Sequence, residues 1–461
     1  MRLSSISLLF FSSLLAAPAD LIVSAGKVVT MDAQRRVIDN GAVAIAKGRI
    51  LAVGPRAGID KQFQAPRRID RPDAILAPGL INTHTHAPMA LLRGIADDVD
   101  LQQWLQRFIF PAEARNVDEE FVRAGARLAV LEMMLGGTTT YVDMYYFEHA
   151  IAEETAKAGM RAVLGQTIIG FPAPDYKTPA DSLAAAEKFM QRFKGHPLIT
   201  ATVAPHAIYT NSAETLQAAR RLANKFSTPY LIHVSETQKE NLDSGLQHGH
   251  LTPTLYLESI GALDGGHTLF AHAVWAGAND LAAFRRRGIG VAHCPSSNMK
   301  LGSGVANITT MLAQNIPVGL GTDGPAGSNN DLNMFEEMDL ASKLAKVELR
   351  DPRVLPARTM FEMATITGAR ALAMDKEIGS LEAGKRADLI TVSTDSPNAW
   401  PAHDPYSMLV YTLKASDVQD VVIEGRITVE NKRPLTLNPL EIKRQAAAIR
   451  RRVDASLLVA K

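Results

Sequence analysis

The sequence predicts an α/β fold, a (β/α)₈ barrel with a small β-sandwich domain built from both chain ends. Three observations support it: eight apolar runs recur at regular intervals, helical segments separate them, and β-rich segments occupy both ends of the chain. With 461 residues, 46% of them hydrophobic, the chain can bury a large core and a smaller second unit. A doubly wound open sheet is the alternative, but no G-x-G-x-x-G sequence follows an early strand to support it.

We assign residues 75–376 to the barrel, because eight βα units over about 300 residues match the size and rhythm of this fold. The predicted strands are Ile75–His84, Thr138–Tyr145, Arg161–Ile168, Ile199–His206, Tyr230–Glu236, Thr268–Trp275, Ile289–Pro295 and Pro317–Asp323. Helices are predicted between them, for example Glu119–Leu135, Ser182–Phe193, Ala213–Phe226 and Asp280–Arg287. Active sites of this fold lie at the C-terminal ends of the strands, so functional side chains are expected where each run ends.

The two chain ends have a different pattern. Residues 20–74 and 377–438 alternate short β-rich runs with turns, so we expect them to pair into one β-sandwich domain. Residues 439–461 have the pattern of a terminal helix. Residues 1–19 combine an early Arg2, an apolar run and a small-x-small site, which predicts a secretory signal peptide. The protein is then expected to be secreted or periplasmic, or cytoplasmic if this segment is not cleaved.

Composition narrows the class of partner. Forty-nine basic residues against forty-eight acidic ones give a net charge of +1, which provides no electrostatic reason to bind nucleic acid or an anionic membrane. The expected partner is therefore a small molecule, and a homo-oligomer is also compatible with the sequence. The single cysteine, Cys294, excludes an internal disulfide and a cysteine-rich zinc site. Any transition metal must be bound by His, Asp or Glu.

Residues able to do chemistry concentrate at the predicted strand ends. Six of the twelve histidines lie there, together with two carboxylates. The set consists of His84, His86, His206, His233, Glu236, His272, His293 and Asp323. His84 and His86 are two residues apart on a strand, so both project to the same face, where one metal ion can accept a nitrogen from each.

We expect one divalent metal ion, bound by three imidazoles and one carboxylate. The predicted ligands are His84, His86, His233 and Asp323, a set that suits zinc, with iron as the alternative. A bound metal lowers the pKa of its water from 15.7 to about 7 and so provides a hydroxide nucleophile. Asp323 is expected to take the water's proton, His272 to hold or polarise the water, and Glu236 to carry a proton to the substrate ring and the leaving group. Each carboxylate also has a non-catalytic interpretation. Asp323 could be an ordinary turn residue, and Glu236 could stabilise the start of the next helix.

These motifs resemble the amidohydrolase superfamily. The matching segments are His84-Thr85-His86, Pro205-His206, His233-Val234-Ser235-Glu236, Ala271-His272, His293 to Leu301, and Gly321-Thr322-Asp323-Gly324. Within the superfamily, the chain is most similar to the methylthioadenosine/S-adenosylhomocysteine deaminases and their chlorohydrolase relatives. The segments that indicate this subgroup are Leu92-Arg93-Gly94, Trp104-Leu105, Ser328 to Leu332 and Met334 to Glu337.

The resemblance implies roles for individual residues. It implies the same four metal ligands, with Glu236 as proton shuttle, His272 assisting the water, and His206, Trp104 and Arg93 as substrate-binding residues. The implied reaction is deamination of an aminopurine or a related N-heterocycle, such as methylthioadenosine or S-adenosylhomocysteine, with release of ammonia. No lysine closes the fourth strand, where relatives with two metals often carry one, so a mononuclear site is implied.

One departure keeps the substrate open. The loop after the third strand offers only Lys177 as a cation for a homocysteine carboxylate. Guanine, a pterin or a chlorinated triazine would use the same machinery. A non-catalytic exported metal- or ligand-binding protein is the alternative from another class, although binding alone would not require the acid Glu236. We interpret His293 as structural and Cys294 as a small buried apolar residue.

Overall fold

The structure is a computed structural model that describes residues 16–458. The predicted signal peptide therefore lies outside the described residues, except for residues 16–19. Within these, Ala17–Pro18 pairs in parallel with Phe63–Gln64 as a two-residue ladder. None of the helices in residues 16–458 combines the length and the apolar character needed to cross a membrane.

Eight parallel strands form the barrel and follow one another in sequence order. They are Leu80–Thr85, Thr138–Tyr145, Arg161–Ile168, Ile199–Pro205, Tyr230–Val234, Thr268–His272, Gly290–His293 and Val318–Leu320. An isolated parallel bridge between Thr85 and Asp323 links the first and last strands. Asn82 Nδ2 donates to Thr322 Oγ1 over 2.8 Å beside it. The predicted barrel is confirmed.

Amphipathic helices cover the outside of the barrel. The principal helices are Glu119–Leu135, Glu148–Ala158, Pro179–Arg192, Ala213–Phe226, Gln238–Gln247, Pro253–Ser259, Ala278–Arg287, Pro295–Lys300, Ile308–Ala313, Met334–Leu349, Ala357–Met363 and Ile366–Ala371. Ala213–Phe226 illustrates how the sequence specifies them. Ser212 caps its first turn by accepting the N–H three residues on, and Leu216, Ala219 and Ala223 form its buried stripe.

A shorter helical layer follows the first barrel strand and lies over the mouth of the barrel. It consists of the 3₁₀ segment Ala87–Leu92, the short helix Leu101–Gln103, the π-helix Trp104–Ile109 and the helix Phe110–Asn116. A π-helix is rare and is often found at functional sites. This layer places aromatic and aliphatic side chains over the strand ends, as described below.

Both chain ends contribute to one continuous eight-stranded sheet. In spatial order its strands are Arg433–Pro434, Arg426–Glu430, Val418–Ile423, Leu389–Ser393, Arg67–Pro78, Leu21–Val29, Val37–Ala46 and Arg49–Pro55. Its own buried cluster joins residues from both ends, including Val23, Ile45, Leu76 and Val422. The helix Arg56–Gln62 packs at the edge of this sheet, and Pro439–Leu458 packs against the barrel helices Glu119–Leu135 and Phe110–Asn116.

The predicted first strand, Ile75–His84, is divided between the two sheets. Residues up to Pro78 belong to Arg67–Pro78, which pairs with Leu389–Ser393, and the barrel strand begins at Leu80. A Cβ atom on Gly79 would lie 2.1 Å from the Thr139 side chain, so only glycine fits where the chain crosses. The boundaries of one apolar run therefore did not indicate where the chain passes from one sheet to the other.

A buried ion pair joins the sheet to the barrel. Arg161, the first residue of the third barrel strand, donates from Nε to Asp388 Oδ2 over 2.7 Å and from Nη2 to Asp388 Oδ1 over 3.2 Å. It also pairs with Glu424 and donates to the Pro197 carbonyl over 2.9 Å. The Arg161 and Asp388 side chains are only 5% and 3% exposed, so each depends on the other for its charge balance.

We therefore expect Arg161→Met to destabilise the protein strongly, because it leaves Asp388 as an uncompensated buried charge. The expected loss in the free energy of unfolding is about 3–5 kcal/mol, measured by urea denaturation. Arg353→Met is the matched control, because it removes an ion pair with Asp351 whose arginine is 87% exposed. Equal denaturation midpoints for the two variants would contradict the structural role of Arg161.

Candidate metal centre and active site

Four side chains that are far apart in the sequence meet at the C-terminal mouth of the barrel. His84 lies in the first strand, His86 directly after it, His233 in the fifth strand, and Asp323 after the eighth. One nitrogen or oxygen atom from each lies within 4.8 Å of the others. The Nε2 atoms of His84 and His86 are each 3.2 Å from Asp323 Oδ1, and His233 Nε2 is 3.4 Å from His86 Nε2.

Hydrogen bonds to backbone carbonyls orient two of these imidazoles. His86 Nδ1 lies 2.7 Å from the Met144 carbonyl oxygen, and His233 Nδ1 lies 2.7 Å from the His206 carbonyl oxygen. Because a carbonyl oxygen only accepts, each Nδ1 carries a proton, and Nε2 is the ring nitrogen that faces the cluster and can bind a metal ion. This is the arrangement that outer hydrogen bonds impose on metal-binding histidines.

The electrostatics of the cluster fit a metal ion. Burial lowers the pKa of His84 to about 4 and that of His233 well below its usual value, so both imidazoles are neutral ligands. Burial works against the charge on Asp323, but the imidazoles of His84 and His86, each 3.2 Å from its Oδ1, hold its pKa well below the usual range. The Nε2 atom of His84 is buried and makes no hydrogen bond. Facing nitrogen lone pairs beside an ionised carboxylate form the donor set of a divalent cation.

Protonation of His86 competes with that cation. Burial lowers the pKa of His86, but the hydrogen bond and the charge of Asp323 outweigh it and raise the pKa to about 9. A metal ion entering the cluster therefore displaces one proton, and metal affinity should weaken as the pH falls.

The backbone turns sharply where the ligand-bearing strands end. Ser235, His272 and Asp323 follow or close the fifth, sixth and eighth strands with φ values of 53°, 70° and 62°. Non-glycine residues rarely adopt this left-handed conformation, and such strain is concentrated at functional sites. The Asp323 N–H donates to the His84 carbonyl over 3.0 Å, and Ser297 Oγ donates to Asp323 Oδ2 over 2.7 Å. These contacts leave Asp323 Oδ1 facing the histidines.

An acid and an imidazole face the cluster from the fifth and sixth strands. Glu236 Oε2 lies 3.8 Å from His272 Nε2, and both side chains are buried. Burial raises the pKa of Glu236 above its usual value, so it retains a proton more readily than a free carboxyl. The Glu236 N–H donates to Glu240 Oε2 over 2.8 Å, and His272 Nδ1 lies 3.0 Å from Asn298 Oδ1.

Glu236 and His272 line one pocket together with His86, His233 and Asp323. The rest of its wall is mostly aliphatic and aromatic, from Met89, Leu101, Trp104, Leu105, Ile109, Phe110, Met144, Tyr145, Tyr146, Tyr209 and Leu301. Trp104 lies in this wall as predicted, with its Nε1–H donating to the Ala326 carbonyl over 2.9 Å. His206 also lines the pocket, and burial lowers its pKa to about 3, so it acts as a neutral polar group.

The pocket wall contains a carboxyl group that was not found from the sequence. Glu113 lies in the helix Phe110–Asn116, and its Oε1 accepts from the Tyr145 hydroxyl over 2.6 Å. Burial raises the pKa of Glu113 to about 7. Its position four residues after Ile109, which also lines the pocket, was the available signal, but a glutamate in a short helix does not by itself indicate a site.

Four residues considered in the sequence analysis are not among those that line the substrate pocket. Arg93 is not among the residues that line this pocket; its Nη2 pairs with Glu132 Oε2 over 2.6 Å, and it lines a groove beside the terminal helix. His293 is buried within the seventh strand, and Cys294 is buried beside it. Lys177 is exposed and donates to the Ala173 carbonyl over 3.0 Å.

Comparison with known proteins agrees with this geometry. A family model described as the amidohydrolase family matches residues 75–428. A 5-methylthioadenosine/S-adenosylhomocysteine deaminase from Syntrophobacter fumaroxidans is 44% identical over 435 residues, covering 94% of this chain and 98% of that protein. A deaminase of the same name from Thermodesulfovibrio yellowstonii is 44% identical over 414 residues, covering 89% and 94% of the two chains.

Solved structures share both the fold and the extent of the chain. An adenosine deaminase from Xanthomonas campestris with bound zinc superposes with a TM-score of 0.93 at 36% identity, covering 96% of this chain and all of that one. Atrazine chlorohydrolase from Arthrobacter aurescens, complexed with zinc, gives a TM-score of 0.85 at 25% identity and covers 93% of this chain and all of its own. The chain belongs to the amidohydrolase family.

Proposed function

We propose that this protein is a metal-dependent deaminase that replaces the exocyclic amino group of a 6-aminopurine nucleoside by oxygen and releases ammonia. The observation that carries the proposal is the arrangement of Glu236 and His272, which face the four candidate metal ligands in one largely apolar pocket. The relatives named as deaminases of 5-methylthioadenosine and S-adenosylhomocysteine support the choice of reaction and substrate class.

The cofactor that we propose is a single zinc ion. Three imidazole nitrogens and one carboxylate oxygen suit zinc, and two similar solved structures contain it. Ferrous iron accepts the same ligands and is the second candidate. When bound by His84, His86, His233 and Asp323, such an ion lowers the pKa of water and so supplies a nucleophile near neutral pH.

The residues around the metal site move the protons of the reaction. The net reaction forms a carbon–oxygen bond at C6 of the purine, breaks the carbon–nitrogen bond there and consumes one water. Glu236 is positioned to protonate the ring nitrogen next to that carbon, and burial raises its pKa in the direction that favours the protonated form. His272, fixed through Nδ1 by Asn298, orients the attacking water, while the ionised carboxylate of Asp323 accepts the water's proton.

The wall of the pocket favours a nucleoside over a free base. Trp104 and His206 offer flat surfaces for a purine and its sugar, and Glu113 provides a carboxyl group that can accept hydrogen bonds from vicinal ribose hydroxyls. Guanine, pterins and triazines have no such hydroxyls, so with them Glu113 would keep its hydrogen bond from Tyr145 but gain none from the ligand.

The same wall favours an apolar group at the 5′ position of the ribose. The pocket-lining residues include no lysine or arginine. Beyond them, the half-exposed Phe171 packs against Phe110 with ring centroids 5.3 Å apart. A methylthio group finds an apolar surface here, whereas the zwitterionic end of homocysteine finds no cation within the pocket. We therefore propose 5-methylthioadenosine as a better substrate than S-adenosylhomocysteine.

We expect variants of the metal ligands to lose the metal, and a variant of Glu236 to keep the metal but lose turnover. His84→Ala and Asp323→Ala each remove a ligand and should lose zinc, as measured by metal analysis of the purified protein. Glu236→Gln keeps the four ligands and should retain one zinc per chain while losing about 10²–10⁴-fold in kcat. Glu214→Gln, at an exposed helix start, is the control that should behave like wild type. A Glu236→Gln variant with the wild-type rate would refute the proton-transfer role.

Substrate preference is tested by ammonia release from zinc-loaded protein. 5-Methylthioadenosine should give a higher kcat/KM than S-adenosylhomocysteine, and free adenine should be a poor substrate. Glu113→Gln should lower kcat/KM for the nucleoside by about 10- to 100-fold, because an NH₂ donor replaces one acceptor oxygen, and should leave the rate on adenine almost unchanged. Equal losses on nucleoside and free base would contradict a ribose contact by Glu113.

We further propose that residues 1–19 are an export signal that is cleaved after Ala19. The short ladder of Ala17–Pro18 with Phe63–Gln64 would be lost, whereas the strand that begins at Leu21 would remain. Expression of the full-length chain in a bacterial host should yield periplasmic protein that begins at Asp20, as read by N-terminal sequencing. Protein retained in the cytoplasm with residues 1–19 intact would contradict export.

A further inference from the structure

A fully buried glutamate lies outside the substrate pocket and joins two of the loops that carry site residues. Glu337 belongs to the helix Met334–Leu349, and no residue of that helix lines the pocket. Its Oε2 accepts from the Ser296 N–H over 3.1 Å, and its Oε1 accepts from Asn329 Nδ2 over 2.9 Å. Both donors are neutral groups. Burying a carboxyl group costs free energy, so packing of the helix alone does not explain a glutamate at this position.

The two donors follow the seventh and eighth barrel strands. Ser296 lies in the short helix Pro295–Lys300, and its N–H is one of the first-turn donors that find no partner within their own helix. Asn329 lies in the loop after the eighth strand, where its Nδ2 also donates to the Thr322 carbonyl over 2.9 Å. The Asn329 side chain cannot reverse its amide, because its Oδ1 accepts from the Asn330 N–H over 2.6 Å. The orientation of both donors is therefore fixed.

These contacts close a circuit around one metal ligand. Ser296 is next to Ser297, whose hydroxyl donates to Asp323 Oδ2 over 2.7 Å. On the other side, the Thr322 carbonyl that accepts from Asn329 is next to Asp323. Beginning at Glu337, the circuit consists of Ser296, Ser297, Asp323, Thr322 and Asn329. The buried glutamate therefore holds the residues on both sides of the Ser297–Asp323 hydrogen bond.

Asp323 requires such support. Its φ of 62° is rare for a residue other than glycine, and strain of this kind persists only where the surrounding structure imposes it. Its Oδ2 accepts from Ser297, while its Oδ1 lies 3.2 Å from the Nε2 atoms of His84 and His86. A displacement of Ser297 would free the carboxylate to rotate, and Oδ1 would then turn away from the imidazoles.

We propose that Glu337 is a positioning residue that holds Asp323 in place among the metal ligands through Ser297. The inference rests on the metal site of the proposed function. It assigns a role in metal affinity and turnover to a carboxyl group that is neither a metal ligand nor part of the pocket wall.

The isosteric change Glu337→Gln opens the circuit without leaving a cavity. A glutamine amide has one oxygen that accepts and one NH₂ group that donates, so it can accept from Ser296 or from Asn329 but not from both. In either orientation its NH₂ group faces another donor. One of the two hydrogen bonds is therefore lost, and the Ser297–Asp323 contact loses support on one side.

The test is the zinc dissociation constant, measured by competition with a chromogenic chelator for wild type, Glu337→Gln, Ser297→Ala and the double variant. Each single variant should bind zinc about 10- to 100-fold more weakly, the range expected when support of a metal ligand is lost. Because both changes break the same circuit, the double variant should bind about as weakly as the weaker single variant. Wild-type affinity in Glu337→Gln would overturn the positioning role. A double variant that equals the product of its single effects would overturn the path through Ser297.

Two changes on the same helix are the controls. Glu336→Gln alters an exposed carboxyl group and should behave like wild type. Met338→Ala truncates a fully buried side chain outside the circuit, so it should lower the free energy of unfolding but leave zinc affinity unchanged. Equal losses of zinc affinity in Met338→Ala and Glu337→Gln would show a general effect of stability and would overturn the positioning role.

Turnover at saturating zinc separates positioning of Asp323 from an effect on the pocket wall. Glu337→Gln should lower kcat for 5-methylthioadenosine by about 10- to 100-fold and leave KM almost unchanged, because the pocket-lining residues are intact. A raised KM with the wild-type kcat would contradict the proposed role, since it would indicate weaker substrate binding with Asp323 still in place.

Metal-free protein tests the circuit even if wild type fails to bind zinc. The free energies of unfolding of the same four proteins, measured by urea denaturation, form a double-mutant cycle. Either single change opens the circuit, so the double variant should lose less than the sum of the two single losses. Additive losses would overturn the circuit, whereas failure of wild type to bind zinc would refute the proposed function instead. If Glu337→Gln does not fold, Asn329→Ala replaces it in both cycles, because it opens the circuit at the other oxygen of Glu337.

Discussion

The structure depends on the closure of the barrel, which brings the carboxyl end of the first strand beside that of the eighth. The Thr85–Asp323 bridge and the Asn82–Thr322 hydrogen bond make this junction. Without it, Asp323 would not reach the two histidines of the first strand, and the facing imidazoles would have no carboxylate to balance a cation. The cost of burying these polar groups is offset only if they interact with one another or with a metal ion.

The remainder of the molecule holds that junction in place. The sheet built from both chain ends attaches to the N-terminal side of the barrel through Arg161 and Asp388, at the opposite ends of the strands from the metal cluster. Serine, asparagine and backbone carbonyl groups orient the ligands from outside, as Ser297 does for Asp323. The π-helix Trp104–Ile109 contributes Trp104, Leu105 and Ile109 to the wall of the pocket. Stability and the proposed chemistry therefore reside at opposite ends of the same strands.

The barrel and its metal ligands could be predicted because parallel strands buried on both faces give continuous apolar runs. The fold then places every strand end at one edge, so His84, His233 and Asp323 could be grouped without knowledge of their contacts. The division of Ile75–His84 between two sheets could not be predicted, since an apolar run does not specify which partner strand it pairs with.

Residues outside the strand ends were harder to find from the sequence. Glu113 lies on a helix, so it does not have the position that marked the other site residues. Arg93 was expected to bind substrate because its motif resembles that of the family, but its position is set by the ion pair with Glu132. A long charged side chain can reach several partners, and tertiary packing, not local sequence, determines which one it pairs with.

The most direct test of the central claim is X-ray absorption spectroscopy at the zinc edge of the loaded protein, with the metal content measured on the same sample. We predict one zinc per chain, surrounded by nitrogen and oxygen ligands at about 2.0–2.2 Å, with the imidazole scattering of three histidines. Two zinc ions per chain, a sulfur ligand from Cys294 at about 2.3 Å, or fewer than three imidazoles would contradict it.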